Sequence, residues 1–122
     1  MERRLSPRIG VSLPIDIRLI DGQTLTVESV DLSYVGVSFN CNYQQMRQIF
    51  PAAQWLAPKD QVSLSISLKL SDELVLVCKC TVSRFLRLSE NQYHIGVQFL
   101  DIDEDTQRGL IRFVNSHRDS SV

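Results

Sequence analysis

Residues 62 to 70 read Val-Ser-Leu-Ser-Ile-Ser-Leu-Lys-Leu, with an apolar side chain at every second position. A period of two belongs to extended chain with one face buried, because successive side chains leave a strand on opposite faces. The same rhythm recurs. Val11, Leu13, Ile15, Ile17 and Leu19 alternate with Ser12, Pro14, Asp16, Arg18 and Ile20. Asp21-Gly22 follows as a hairpin signal, which predicts a returning strand over Thr24 to Val30. Pro14 has no N–H to give a ladder, so an edge position is expected for its strand. Asp31 to Gly36 breaks the run, and Val35 to Phe39 resumes it. Leu74 to Leu86 and Tyr93 to Leu100 complete the series, set off by turns at Ser71-Asp72-Glu73 and Ser89-Glu90-Asn91.

Other segments interrupt this pattern. Residues 1–10, with Pro7 and Gly10, read as an irregular basic arm. Tyr43 to Phe50 fits a short helix that Pro51 ends, and Pro58-Lys59-Asp60 reads as a turn. Near the end, Asp103 is placed to cap a helix whose first turn carries Glu104 and Asp105, where acids complement the helix dipole. Leu110, Val114 and His117 share one face of that helix. Gly109 within it costs roughly 1 kcal/mol relative to alanine. Gly36-Val37-Ser38-Phe39 and Gly96-Val97-Gln98-Phe99 echo each other, and each glycine is expected at a strand start. Short antiparallel strands with a terminal helix predict an all-β-dominated fold. A small β-barrel with a C-terminal α-helix packed on it is expected. The 122 residues form one domain: an arm over 1–10, a barrel over 11–100 and a helix over 103–117.

Composition removes several classes of function. The net charge is −1, so no global field draws the chain to a nucleic-acid polymer or an anionic membrane. The five Phe, three Tyr and one Trp fall mostly on apolar strand positions and offer no stacking platform for single-stranded RNA. No apolar run approaches the ~18 residues of a membrane span. Ser6, Pro7 and Arg8 interrupt anything resembling a secretory leader. A cytoplasmic protein without membrane insertion is expected. Cys41, Cys78 and Cys80 are an odd number of thiols, which argues against a disulfide framework. Cys78 and Cys80 share a strand face with Leu74, Leu76 and Val82 and are expected to be buried thiols. Two ligands do not make a structural zinc site, and no third group orients a Cys/His nucleophile. The acids at 101–105 lack a calcium-loop pattern. No catalytic residue, metal or cofactor is assigned. Trp55 with Phe50 and Leu56 reads as a lid over one barrel mouth or as a partner patch.

Two short motifs carry the chemistry. Arg4-Leu5-Ser6-Pro7-Arg8 lies just before the first strand and is preceded by Arg3. Asp31-Leu32-Ser33-Tyr34-Val35-Gly36 lies between the second and third. Either alone is ordinary: a solvated basic tail, or turn chemistry at a strand end. An arginine fork matches paired acceptors such as guanine O6 and N7, stacks on purines and pairs phosphates. Asp31 accepts hydrogen bonds, Ser33 donates them, and Gly36 permits positive φ and close backbone approach.

The order of these motifs, with the strands and the closing helix, resembles the PilZ domain family from Arg3 to about His117. The resemblance implies a six-stranded antiparallel β-barrel with a C-terminal α-helix that recognises cyclic di-GMP through an Arg-x-x-x-Arg arm and an Asp/Asn-x-Ser-x-x-Gly turn. On that basis the ligand-binding residues are Arg3, Arg4, Arg8, Asp31, Ser33 and Gly36. An arginine at the position of Arg3 implies two intercalated ligand molecules per chain. The stretch from Cys41 to Leu56 is longer than compact members need. The resemblance further implies a receptor that passes second-messenger levels to a downstream protein through its arm. The alternative is a nucleotide-independent adapter using the same barrel for protein contacts.

Overall fold

The structure, a computed structural model, describes residues 7–19, 21–51 and 63–120, with side chains to 117. Arg3, Arg4, the turn at 58–60, and Trp55 and Leu56 lie outside the described residues. Among the described residues, seven strands and two helices follow one another: β1 (Ile9–Gly10), β2 (Pro14–Arg18), β3 (Thr24–Leu32), β4 (Gly36–Cys41), α1 (Tyr43–Ile49), β5 (Ser63–Ser71), β6 (Leu74–Ser89), β7 (Gln92–Phe99) and α2 (Glu104–Ser120). The strands pair antiparallel in the order β3-β2-β5-β6-β7-β4, and β4 pairs back with β3 to close a six-stranded barrel. The two-residue β1 adds to β3 beyond the end of β2. Closure leaves these six strands no free edge, the liability of open sheets.

The period of two sets the wall. Ile15, Ile17, Leu64, Ile66, Leu68, Leu76, Ile95 and Val97 point inward and are buried. Each such side chain contributes about 1.5–3 kcal/mol of transfer free energy. Helix α2 covers the barrel with Leu110 and Val114, both fully buried, and packs on β6 and β1. His117 is exposed, where a place on the buried face was expected; its ring stacks on Phe113 instead. Asp103 caps α2 as expected: its Oδ1 accepts from the Thr106 N–H at 2.7 Å. That bond holds the Asp103 carboxyl below its usual range. Gly109 lets the helix close on β6, since a Cβ there would lie 2.8 Å from Leu74 Cδ2. Helix α1 carries a reciprocal cap between Asn42 and Gln45. Behind it, Phe50 is fully buried and meets Phe85 edge-on at 5.6 Å.

Several expectations need correction. Pro14 begins an interior strand, not an edge: β2 lies between β3 and β5. Its missing N–H is tolerated because Pro14 precedes the first β5 pairing, Ile15 with Leu68. The break after Val30 is shorter than expected, because β3 runs through Asp31 and Leu32. Residues 9 and 10, expected to be irregular, pair with Leu32 and Asp31. Between them and β2, Ser29 staples the chain. Its Oγ accepts from the Leu13 N–H at 2.8 Å and donates to the Val11 carbonyl. Gly96 lies inside β7 and not at its start. The hairpin at Asp21-Gly22 is as expected, with Gly22 at φ 90.

Candidate functional site

The pairing of β1 with β3 brings the end of the arm to the start of the turn. Gly10 lies opposite Asp31, and Arg8 Nη1 sits 3.7 Å from Asp31 Oδ1. Four of the six expected residues, Arg8, Asp31, Ser33 and Gly36, line one cleft of about 270 Å³ on the outer wall of the barrel. That volume is close to the ~300 Å³ at which small-ligand sites begin.

The turn is built by Ser33. Its Oγ accepts from the N–H groups of Val35 and Gly36, each at 3.2 Å, and its own N–H donates to the Gly36 carbonyl at 2.9 Å. Ser33 is buried. Its hydroxyl therefore shapes the turn, the turn chemistry that the motif implied beside a ligand contact. Tyr34, at the tip, donates to Asn115 Oδ1 and ties the turn to α2. The two reasons expected for Gly36 separate: close backbone approach applies and positive φ does not. Gly22 is the described glycine with positive φ; Gly36 is required by proximity instead. A Cβ on it would lie 2.2 Å from the Val97 carbonyl oxygen on β7.

The rest of the cleft comes from β4, β7 and β6. Sequence reasoning missed its residues: Ser38 on β4, Ser83 and Arg84 on β6, and His94, Gly96 and Gln98 on β7. Outward polar residues occur on every strand of a solvated barrel, so these carried no distinguishing signal. His94 Nδ1 lies 2.7 Å from Asn40 Oδ1, its cross-strand neighbour. With that oxygen accepting, Nδ1 carries the hydrogen, and Nε2 is an acceptor in the neutral ring.

The remaining candidate chemistry is absent from this cleft. Among the described residues no group of three His, Cys, Asp or Glu is placed to hold a metal. The three cysteines are free thiols. Burial pushes Cys41 up to about 11 and Cys80 up to about 12, and raises Cys78 as well. Thiols shifted this way are poor nucleophiles. No described helix is long and apolar enough to cross a membrane.

Comparisons with known proteins agree with this architecture. Among curated proteins none matches. Among solved structures, Bacillus subtilis MotI/DgrA, an inhibitor of motility, superposes with a TM-score of 0.74 at 15% identity, over 100% of this chain and 54% of that one. The K. pneumonia MrkH–c-di-GMP complex gives 0.74 at 19% identity, over 99% and 55%. The PilZ domain of Escherichia coli YcgR with c-di-GMP gives 0.64 at 18% identity, over 98% and 95%. The chain thus spans about half the length of the first two and nearly all of the isolated YcgR domain. Residues 2–116 match the PilZ domain family, and the chain belongs to that family.

Proposed function

We propose that this chain is a receptor for cyclic di-GMP, a binding domain without catalytic activity. The observation that carries the reading is the convergence of Arg8, Asp31 and the Ser33–Gly36 turn on one cleft. Family membership and the cyclic di-GMP bound in the MrkH and YcgR structures support it.

The Arg8–Asp31 pair explains a preference for guanine. Guanine presents O6 and N7 as acceptors on one edge and N–H donors on the adjoining edge. One purine can therefore satisfy Arg8 with the first and Asp31 with the second, inserting into an ion pair that already exists. Adenine carries a donor where guanine has O6 and cannot serve the arginine in the same way. Ser33 and Gly36 hold the backbone that fixes Asp31. Arg3 and Arg4 add two guanidinium groups for phosphates and purine faces.

The reading extends to signal transmission. The ligand draws Arg3, Arg4 and Arg8 over the cleft, and the surface offered to a downstream protein changes. Fixing the arm costs roughly 1–2 kcal/mol of backbone entropy per residue, which ligand contacts must offset.

Titration calorimetry tests the reading. Cyclic di-GMP should bind with micromolar or tighter affinity, about −8 kcal/mol or beyond. Single-stranded RNA should give no heat. Absence of cyclic di-GMP binding would leave the nucleotide-independent adapter as the better account.

A further inference from the structure

Two β-bulges set the charged ends of the cleft. Between β3 and β4 the register shifts from Ser29↔Phe39 to Asp31↔Ser38, which leaves Val30 as an extra residue. Between β6 and β7 it shifts from Val82↔Val97 to Arg84↔Gly96, which leaves Ser83 extra. Ser29 is buried, and Val82 packs against the core. Two residues further along a regular strand, Asp31 and Arg84 would share those faces and point into the barrel. Each bulge reverses the alternation and turns a charged side chain outward, as bulges beside functional sites do.

The pairings place these residues on one line. Asp31 lies opposite Ser38, Ser38 opposite Gly96, and Gly96 opposite Arg84. The row crosses β3, β4, β7 and β6, a span of roughly 14 Å at the usual strand spacing. All four residues line the cleft.

The floor of the row holds an independent signal. Ser38 is 3% exposed, and its Oγ is buried without a hydrogen-bond partner among the described residues. A serine hydroxyl is rarely left in that state, because burial without a partner opposes folding. Beside it, Gly96 supplies no side chain; a Cβ there would sit 3.3 Å from Arg84 Cβ. Arg84 is exposed and has no acidic partner among the described residues.

We propose that the ligand lies across β4 and β7 along this row, with Arg84 pairing a ligand phosphate and the Ser38 hydroxyl donating to a ligand oxygen. The inference rests on the cyclic di-GMP reading and extends its footprint beyond the arm and the turn. Both groups are specificity residues that folding alone does not require.

The test is calorimetry with cyclic di-GMP on the unchanged chain, Arg84→Gln, Ser38→Ala, and Lys79→Gln as a control on the same strand outside the row, each with a melting curve without ligand. Arg84→Gln should weaken binding about tenfold or more, the scale of a lost charge-assisted bond. Ser38→Ala should weaken binding with an unchanged or higher Tm, because it removes an unsatisfied buried hydroxyl. A serine needed for the fold would lower Tm instead. Lys79→Gln should match the unchanged chain. Tight binding by the unchanged chain with equal affinity in Arg84→Gln and Ser38→Ala would overturn the inference and leave the receptor reading standing. No binding by the unchanged chain would overturn both.

Discussion

Arg8 Nη1 stands 3.7 Å from Asp31 Oδ1, with the two side chains 49% and 28% exposed. An ion pair this accessible contributes about 0–1 kcal/mol to stability. Its value lies in holding a donor fork and an acceptor side by side at the mouth of the cleft. Arg8→Ala should therefore leave the melting temperature without ligand nearly unchanged. The same substitution should weaken cyclic di-GMP binding by roughly 1.5–3 kcal/mol, the range for a hydrogen bond to a charged group. A large fall in Tm would make Arg8 a structural residue.

The turn behaves differently. Ser33→Ala removes the acceptor for the Val35 and Gly36 N–H groups, so it should lower stability by about 1–3 kcal/mol as well as affinity. Gly36→Val should be worse, because its Cβ would meet the backbone of β7, which closes the barrel. Denaturant melts of both variants check this. A fully stable Gly36→Val would contradict the close approach.

The strands and the terminal helix were legible because alternation and capping are local signals. Ile15, Ile17, Leu64, Ile66, Leu68 and Leu110 are buried where their spacing puts them. Asp31 and Gly36 were legible as part of a motif. Turn chemistry at Ser33 and close approach at Gly36 were legible too, but their partners were not, since those are contacts: the hydroxyl accepts from Val35 and Gly36, and the carbonyl beside Gly36 belongs to Val97 on another strand. Ser38 and Arg84 were invisible for a related cause. Bulges at Val30 and Ser83 exist only in the pairing of two strands, and a single strand's sequence shows them merely as a lapse in rhythm.

The thiols give a pH signature. Their ordinary value is 9.0, and burial raises Cys41 to about 11 and Cys80 to about 12. Folded chain therefore holds these protons where unfolded chain has released them. The corresponding stability is present below about pH 9 and is lost as pH rises toward the folded values. Melts between pH 8 and pH 11 should show Tm falling, and Cys41→Ser with Cys80→Ala should flatten that decline. At pH 8, Cys41 and Cys80 should resist alkylation until the chain unfolds.

Arg3 bears on stoichiometry. With Arg4 and Arg8 it gives the arm three guanidinium groups, one more planar cation to share among the four phosphates and the purines of two intercalated ligands. Two cyclic di-GMP molecules per chain are expected at saturation. Arg3→Leu should shift this toward one while retaining measurable affinity. Calorimetry at protein concentrations well above the dissociation constant reads the number directly. One ligand per chain in both proteins would remove Arg3 from the site.

The most direct measurement compares cyclic di-GMP with cyclic di-AMP on the unchanged chain. The two ligands share ring, sugars and phosphates, so charge alone cannot separate them. They differ at the purine edge that the proposed reading assigns to the Arg8–Asp31 pair. The account predicts micromolar or tighter binding of cyclic di-GMP, and cyclic di-AMP weaker by about two orders of magnitude, the scale of one lost bidentate contact. Equal affinity for the two would contradict it.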